Sequence, residues 1–204
     1  IVRAAQRLLN CLLGVGLVLL VPAMPAGADS VWEWTPYRVQ VFLAVGWAPE
    51  LDGALAKDLA ADLAAQADAL LGPSWDLRVA DAPPALARRM LADLEAVTVD
   101  EMPQDALDLD KVFLLVVQPQ PIGYLVAARE LDANARWFGT AVRISVSQPA
   151  GLRNGLFRAV REAFAPLAEI LSVDDVQKRT VLKLRAGALG FRDQTYQPVG
   201  PGRI

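Results

Sequence analysis

The spacing of apolar residues divides the first half of the chain into alternating strands and helices. Tyr37 to Val45 alternates between apolar and polar positions, which predicts a strand with one buried face. From Pro49 to Leu71 the apolar residues recur at steps of three and four, as on one face of an amphipathic helix. Residues 75–79 alternate again, and residues 84–97 return to helical spacing after Asp81, a residue suited to capping a helix. This half of the chain therefore predicts the order β-α-β-α.

The second half begins with an apolar segment that does not alternate. Residues 111–117 are apolar after Lys111, which is typical of a central strand covered on both faces. Residues 124–131 and 138–146 predict two further strands, joined by a polar turn at residues 132–136. Three consecutive strands are therefore expected here.

The last elements complete the predicted fold. A helix capped by Ser147 follows, and residues 170–173 and 179–185 then predict a hairpin. The complete order is β-α-β-α-β-β-β-α followed by β-β. We expect an α/β (α+β) fold with a mixed sheet packed by three helices in residues 29–166. The start of a small β-rich domain, truncated in this chain, is expected in residues 167–204.

The N-terminus has the features of an export signal. Arg3 and Arg7 form a basic segment, and the 14 residues from Leu8 to Val21 are apolar except for one asparagine. Ala26 to Ala28 supplies the small residues that precede a cleavage site. A transmembrane helix needs roughly 20 apolar residues, so a cleaved signal peptide over residues 1–28 is the better interpretation. The protein is then exported to the periplasm, the cell surface or the medium, without an integral membrane span after cleavage.

Both ends of the chain suggest a piece of a larger protein. The first residue is Ile1 rather than Met, and residues 197–204 stop just after a turn-rich stretch. We therefore expect the N-terminal part of a longer chain.

Composition excludes several chemistries within this chain. It contains no histidine, and its one cysteine lies in the predicted signal peptide. Ser-His-Asp and Cys-His catalysis and zinc sites built on these residues are therefore excluded. No glycine-rich nucleotide-binding motif occurs. We predict no catalytic, cofactor-binding or metal-binding residue, no cofactor and no enzymatic activity.

Charge is unevenly distributed along the chain. Residues 29–110 carry 16 acidic and 5 basic side chains, whereas residues 111–204 carry 7 acidic and 13 basic ones. The net negative balance argues against nucleic acid as a partner, since phosphate binding needs concentrated positive charge.

Two groups of carboxylates could have a catalytic or a structural role. Asp105, Asp108 and Asp110 cluster before the central strand, and paired carboxylates are the machinery of glycosidases. The simpler interpretation is a solvated, acidic capping loop. Glu130 and Asp132 flank the following turn together with Arg129 and Arg136, and we expect an exposed ion-pair cluster that stabilises the hairpin.

Five residues are candidates for contact with a partner. Arg153, Arg158 and Arg161 lie away from the apolar stripe of the last helix, where they are either solvated or opposed to an acidic surface. Trp32 and Trp34 lie close to the predicted mature N-terminus. Tryptophans in this position either dock on a partner or fix the N-terminus over the core.

The order of elements resembles the N-terminal α/β domain of TolB and the CsgG-like envelope domains. The resemblance spans residues 37–166 and is carried by residues 111–117, Gly123 to Val126, Arg129 to Asp132 and the helix from Leu152. The acidic connector before the central strand is longer here than in those domains. The resemblance implies a non-catalytic module that docks on other components of the cell envelope.

Four short segments are similar to uncharacterised secreted proteins of planctomycete-type bacteria. They are Trp34–Val39, Asp110–Leu114, Ala165–Ala168 and Arg185–Leu189. Those proteins continue beyond this point, and they carry no activity that this resemblance would transfer.

Three functional hypotheses follow. The first is an exported, non-catalytic binding or scaffold module whose partner is an envelope protein or polymer. The second is a carboxylate-dependent hydrolase of envelope or extracellular glycans. The third is a passive spacer for a downstream domain. The sequence leaves the oligomeric state open.

Overall fold

A mixed β-sheet organises the computed structural model, which describes residues 30–190 and 192–193. The predicted signal peptide lies outside the described residues. The strands of this sheet are β1 Tyr37–Val45, β2 Trp75–Asp81, β3 Lys111–Pro119, β4 Tyr124–Asp132, β5 Trp137–Phe138 and β6 Val142–Val146. The helices are α1 Ser30–Trp34, α2 Gly53–Leu71, α3 Pro84–Ala92 and α4 Leu152–Ala163.

Strand β3 occupies the centre of the sheet. The order is β2-β1-β3-β4-β5, with β6 pairing along the remainder of β4. Strands β2 and β3 run parallel to β1, and β4 runs antiparallel to β3. The two β-α-β units therefore form the parallel half, and hairpin connections form the antiparallel half. The predicted α/β class with a mixed sheet is confirmed.

Helices cover both faces of the sheet, because α2 and α4 lie on one face and α3 lies on the other. Neighbouring residues of a strand point to opposite faces. Val41 and Phe113 accordingly pack in the core beneath α2 and α4, whereas Phe42 and Leu114 pack beneath α3. Residues 112–117 of β3 are all buried, as their uninterrupted apolar sequence predicted, and Lys111 is buried with them.

One predicted helix start and one predicted helix cap were wrong. Helix α2 begins at Gly53 rather than Pro49, because the Asp52 side chain accepts a hydrogen bond from the Leu55 N–H at 2.8 Å and caps the helix there. Asp81 lies within β2 and does not cap α3, which begins at Pro84 without a side-chain cap.

Three other boundaries also differ from prediction. Helix α3 ends at Ala92, because the Asp93 carboxylate accepts from the Glu95 and Ala96 N–H groups and starts the separate 3₁₀ turn Leu94–Ala96. Helix α4 begins at Leu152, after a 3₁₀ turn that lacks the expected Ser147 cap. The predicted strand over residues 138–146 is divided into β5 and β6, which pair with different parts of β4.

A two-stranded hairpin follows α4. It consists of β7 Ala168–Asp174 and β8 Arg179–Leu184, with a bulge between Ile170 and Ser172. The predicted hairpin is confirmed. The β-rich domain that it was expected to begin stays a prediction.

Candidate functional site

A buried ion cluster lies where β3 begins and β4 ends. The Lys111 ammonium group donates to Glu130 at 2.6 Å and to Asp132 at 3.2 Å. Lys111 and Glu130 are both almost fully buried. Residues 111 and 132 pair directly in the antiparallel register, so the sheet itself brings these side chains together.

A second buried ion pair is formed by the residue just before β3. The Asp110 carboxylate accepts from the Arg38 backbone N–H at 2.8 Å and contacts the Arg185 guanidinium at the same distance. Arg185 also donates to the Pro36 carbonyl at 3.2 Å. Its charged carbon lies 5.0 Å from the centre of the Trp32 ring, a cation–π contact.

Tyr37 lies within the same region and is buried against Phe164. The two rings meet edge to face at 5.1 Å, and the Tyr37 hydroxyl accepts from the Leu167 N–H at 2.9 Å. Burial raises the pKa of Tyr37 to about 12. Burial likewise raises the pKa of the Glu130 carboxyl, although the hydrogen bond from Lys111 opposes that shift.

These groups also hold the hairpin β7–β8 in place, and we call them the anchor. The anchor consists of Tyr37, Asp110, Lys111, Glu130 and Arg185. On the side before β7, Glu130 accepts from the Ala165 N–H at 2.7 Å, and Tyr37 accepts from Leu167. On the side after β8, Arg185 reaches Asp110 through its side chain and donates its backbone N–H to Leu167 at 3.0 Å. The anchor therefore fixes both ends of the hairpin to the end of the sheet where β1 and β3 begin.

Most of the hairpin is exposed to solvent, although its two ends are fixed to the sheet. Every residue of β7 is exposed, as are the first four residues of β8. The described part of the chain has 11 exposed large hydrophobic residues, and six of them lie in this hairpin. They are Ile170, Leu171, Val173, Val176, Val181 and Leu182. Clustered apolar exposure of this kind marks an interaction surface more often than scattered residues do.

The two faces of the hairpin differ in chemistry. Cross-strand partners lie on the same face, so the pairs Ala168–Leu184, Ile170–Leu182 and Val173–Thr180 define one mainly apolar face. The pairs Glu169–Lys183, Ser172–Val181 and Asp174–Arg179 define the opposite, charged face. An amphipathic hairpin of this kind would normally place its apolar face against a core, yet Ile170 is 64% exposed.

The three candidate arginines of α4 do not join the hairpin surface. Arg153 forms an ion pair with Asp62 of α2 at 2.7 Å, and Arg158 pairs with Glu162 one turn later at 2.7 Å. Arg158 and Arg161 also line a shallow depression of about 350 Å³ between α2 and α4.

The two candidate tryptophans differ in their surroundings. Trp32 is partly buried beneath Arg185, and its carbonyl accepts from the Ala186 N–H at 3.2 Å. The next carbonyl, of Glu33, accepts from Ala188 at 3.1 Å, so the segment after the hairpin satisfies the end of α1. Trp34 is exposed. Trp32 therefore lies beside the anchor, and Trp34 lies at the surface.

The carboxylates before β3 are separated by burial. Asp105 and Asp108 are exposed in the 3₁₀ turn Gln104–Asp108, whereas Asp110 is buried and paired with Arg185. Among the described residues, no group of three or more carboxylate side chains is arranged to hold a metal ion.

The expected exposed ion-pair cluster around residues 129–136 was wrong. Glu130 is buried against Lys111, and the Arg129 guanidinium binds backbone carbonyls, including those of Glu95 at 2.8 Å and Gly139 at 3.0 Å. A signal for this arrangement existed in the sequence. Glu130 falls on the same alternating face of its strand as the buried residues Val126 and Ala128.

None of the described helices is both long and apolar enough to cross a membrane.

Comparison with known proteins finds similarity of fold only. The chain is similar to TolB from Acinetobacter baumannii, with a TM-score of 0.37 and 10% identity over 63% of this chain and 28% of TolB. The chain thus spans little more than a quarter of that protein. A neuraminyllactose-binding hemagglutinin homolog from Helicobacter pylori has a TM-score of 0.35 and 9% identity, covering 63% of this chain and 82% of its own.

A lipoprotein from Neisseria meningitidis is also similar, with a TM-score of 0.29 and 19% identity over 62% of this chain and 96% of the lipoprotein. No family model matches the chain, and no curated protein matches it. The resemblance to TolB is therefore a distant one of fold. The similarity to uncharacterised secreted proteins stays a prediction.

Proposed function

We propose that this chain is an exported, non-catalytic module of the cell envelope that docks on a protein partner through the hairpin β7–β8. The observation that carries the proposal is the exposed apolar face of a hairpin whose base is held by the anchor. A loose hairpin would lose conformational entropy on binding, whereas one fixed at both ends has already lost part of it.

The exposure of this hairpin favours a binding role. An isolated two-stranded hairpin is marginally stable in water, and exposed strand edges favour pairing with another chain. Adding a strand to such an edge is a common mode of protein recognition, because backbone hydrogen bonds supply affinity and side chains supply specificity. A passive spacer would gain nothing from six exposed apolar residues in one hairpin.

The hydrolase hypothesis receives no comparable support. Asp110 is held by Arg185 and by the Arg38 backbone, so its carboxylate is already engaged in binding the hairpin. Asp105 and Asp108 lie at the surface.

Site-specific photocrosslinking in the native cells tests the proposal. A photoreactive residue replaces Val176 at the hairpin tip, and a matched variant carries it at Ile122, in the β3–β4 turn. These positions are 94% and 91% exposed, so they have nearly equal access to solvent. We expect the Val176 variant to form one discrete adduct that mass spectrometry identifies. That adduct should be lost when Ile170→Ser and Leu182→Ser are added.

The Ile122 variant should not form the same adduct. Equal adducts from both positions, or no adduct from the hairpin, would contradict docking through β7–β8.

A further inference from the structure

The two strands of the hairpin carry opposite charges. Strand β7 contains Glu169 and Asp174 and no basic residue. Strand β8 contains Arg179 and Lys183 and no acidic residue. Glu169, Asp174 and Arg179 are exposed, whereas Lys183 is buried. The charges exposed on β7 are therefore acidic, and the charge exposed on β8 is basic.

Both outer edges of the hairpin have the backbone groups needed for further pairing. Within the described residues, β7 and β8 form a two-stranded sheet and pair only with each other. Each strand therefore has one side on which its outward N–H and C=O groups lack a strand partner. In the exposed half, Ser172 lies opposite Val181 and Asp174 lies opposite Arg179.

We infer that the partner is a second copy of this chain, with β7 of one copy adding antiparallel to β8 of the next. This inference rests on the proposed docking role of the hairpin. In the register that the hairpin itself uses, Asp174 of one copy would face Arg179 of its neighbour. Pairing β7 with β7 would bring acidic strands together, and pairing β8 with β8 would bring basic strands together. Like charges on adjacent strands disfavour both of these alternatives.

This pairing also covers apolar surface in a defined direction. Each added hairpin extends the face that carries Ile170, Val173 and Leu182, so that side chains of neighbouring copies pack side by side. The contact joins two different edges and is therefore heterologous, which produces a closed ring or an open filament instead of a two-fold dimer. We expect species larger than a dimer.

A pair of charge variants tests the contact between copies. The basic variant carries Ser172→Lys and Asp174→Lys on β7, and the acidic variant carries Arg179→Glu and Val181→Glu on β8. All four positions are exposed and lie on the charged face. The Asp174 carboxylate also accepts from the Val176 and Gln177 N–H groups at 2.9 Å, so hydrogen exchange must show that β7 and β8 still pair in the basic variant. In either variant alone, the altered strand would meet a neighbour's strand without its complementary charge. In a mixture, the lysines of one variant would face the glutamates of the other.

Sedimentation velocity and native mass spectrometry of the purified chains measure the outcome. We expect the unaltered chain to assemble, and each variant alone to assemble several-fold more weakly. An equal mixture should recover assemblies that contain both variants. Each variant keeps its altered charges within its own hairpin in the mixture, so this recovery reports pairing between copies and not repair of the fold.

Two results would overturn the inference. An unaltered chain that stays monomeric at millimolar concentration has no such contact. Variants that assemble equally well alone and mixed do not use this register. If the chain stays monomeric while Val176 crosslinks to a different protein, docking through the hairpin stands and self-assembly fails. If neither occurs, both proposals fail.

Discussion

Strands β3 and β7 show how one type of backbone structure serves two purposes in this molecule. The first seven residues of β3 are all buried, including Lys111, whose charge is matched by Glu130. Every residue of β7 is exposed, and its apolar side chains have no core of their own. Folding therefore accounts for the side chains of β3. Folding of the described residues does not bury the side chains of β7, which is the observation on which the proposed docking role rests.

The largest loss of stability should come from removing the buried charge of Lys111 in β3. Lys111→Met removes the ammonium group that both Glu130 and Asp132 contact, leaving a buried carboxylate without a cation. We expect the free energy of unfolding to fall by about 3–5 kcal/mol. Chemical denaturation followed by circular dichroism measures this loss. The double variant Lys111→Met/Glu130→Gln should recover much of it, and a double variant as unstable as the single one would contradict the charge argument.

Alkaline pH should weaken the anchor through Tyr37. Its pKa rises from 10.0 to about 12 on folding, so the folded chain favours the neutral phenol. This stability is fully present below pH 10 and is lost as the pH rises through 12. A shift of this size corresponds to about 3 kcal/mol. The difference in unfolding free energy between the unaltered chain and Tyr37→Phe should therefore shrink over this range. A constant difference would show that Tyr37 does not titrate as its burial indicates.

Loss of Arg185 should loosen the hairpin more than the sheet. Arg185→Met removes the buried cationic partner of Asp110 and leaves the half-exposed Arg38 guanidinium at 3.5 Å, so we expect a loss of about 2 kcal/mol, as for a hydrogen bond to a charged group. Hydrogen exchange resolved by segment should show faster exchange in β7 and β8, with β3 still protected. Arg192→Met serves as a control, because Arg192 makes an exposed contact with Asp68 at 3.5 Å. Equal acceleration throughout the chain would contradict local anchoring.

The smallest effect on stability should come from substitutions on the exposed apolar face of the hairpin β7–β8. Ile170→Ser and Leu182→Ser change side chains that contact little in the chain itself, so each should alter the free energy of unfolding by less than about 0.5 kcal/mol. Leu115→Ala, in the buried core of β3, should instead cost about 2–5 kcal/mol. Thermal and chemical denaturation make this comparison. A large loss from Ile170→Ser would mean that the hairpin face is structural.

Local pattern was enough to predict the sheet, its covering helices and the hairpin. Alternation and helical spacing depend on neighbours within one element, and those neighbours are visible in the sequence. Boundaries were less accurate where one polar side chain ended or restarted a turn, as Asp52 and Asp93 do. The contacts of the candidate site could not be predicted from local pattern. The pairs Asp110–Arg185 and Tyr37–Leu167 join distant parts of the chain, and no local spacing encodes such a contact.

The anchor also constrains the order in which contacts can form while the chain is synthesised and folds. The hydrogen bond between Tyr37 and Leu167 joins residues 130 positions apart, and Asp110 pairs with Arg185 as well as with the nearer Arg38. During synthesis, β1 and β3 are present well before Leu167 and Arg185, which bind the groups at their ends. Contacts between distant residues form late, because the loop they close must first be ordered. Asp110 can pair with Arg38 as soon as both residues are present, but it lacks its buried Arg185 partner until residue 185 has emerged.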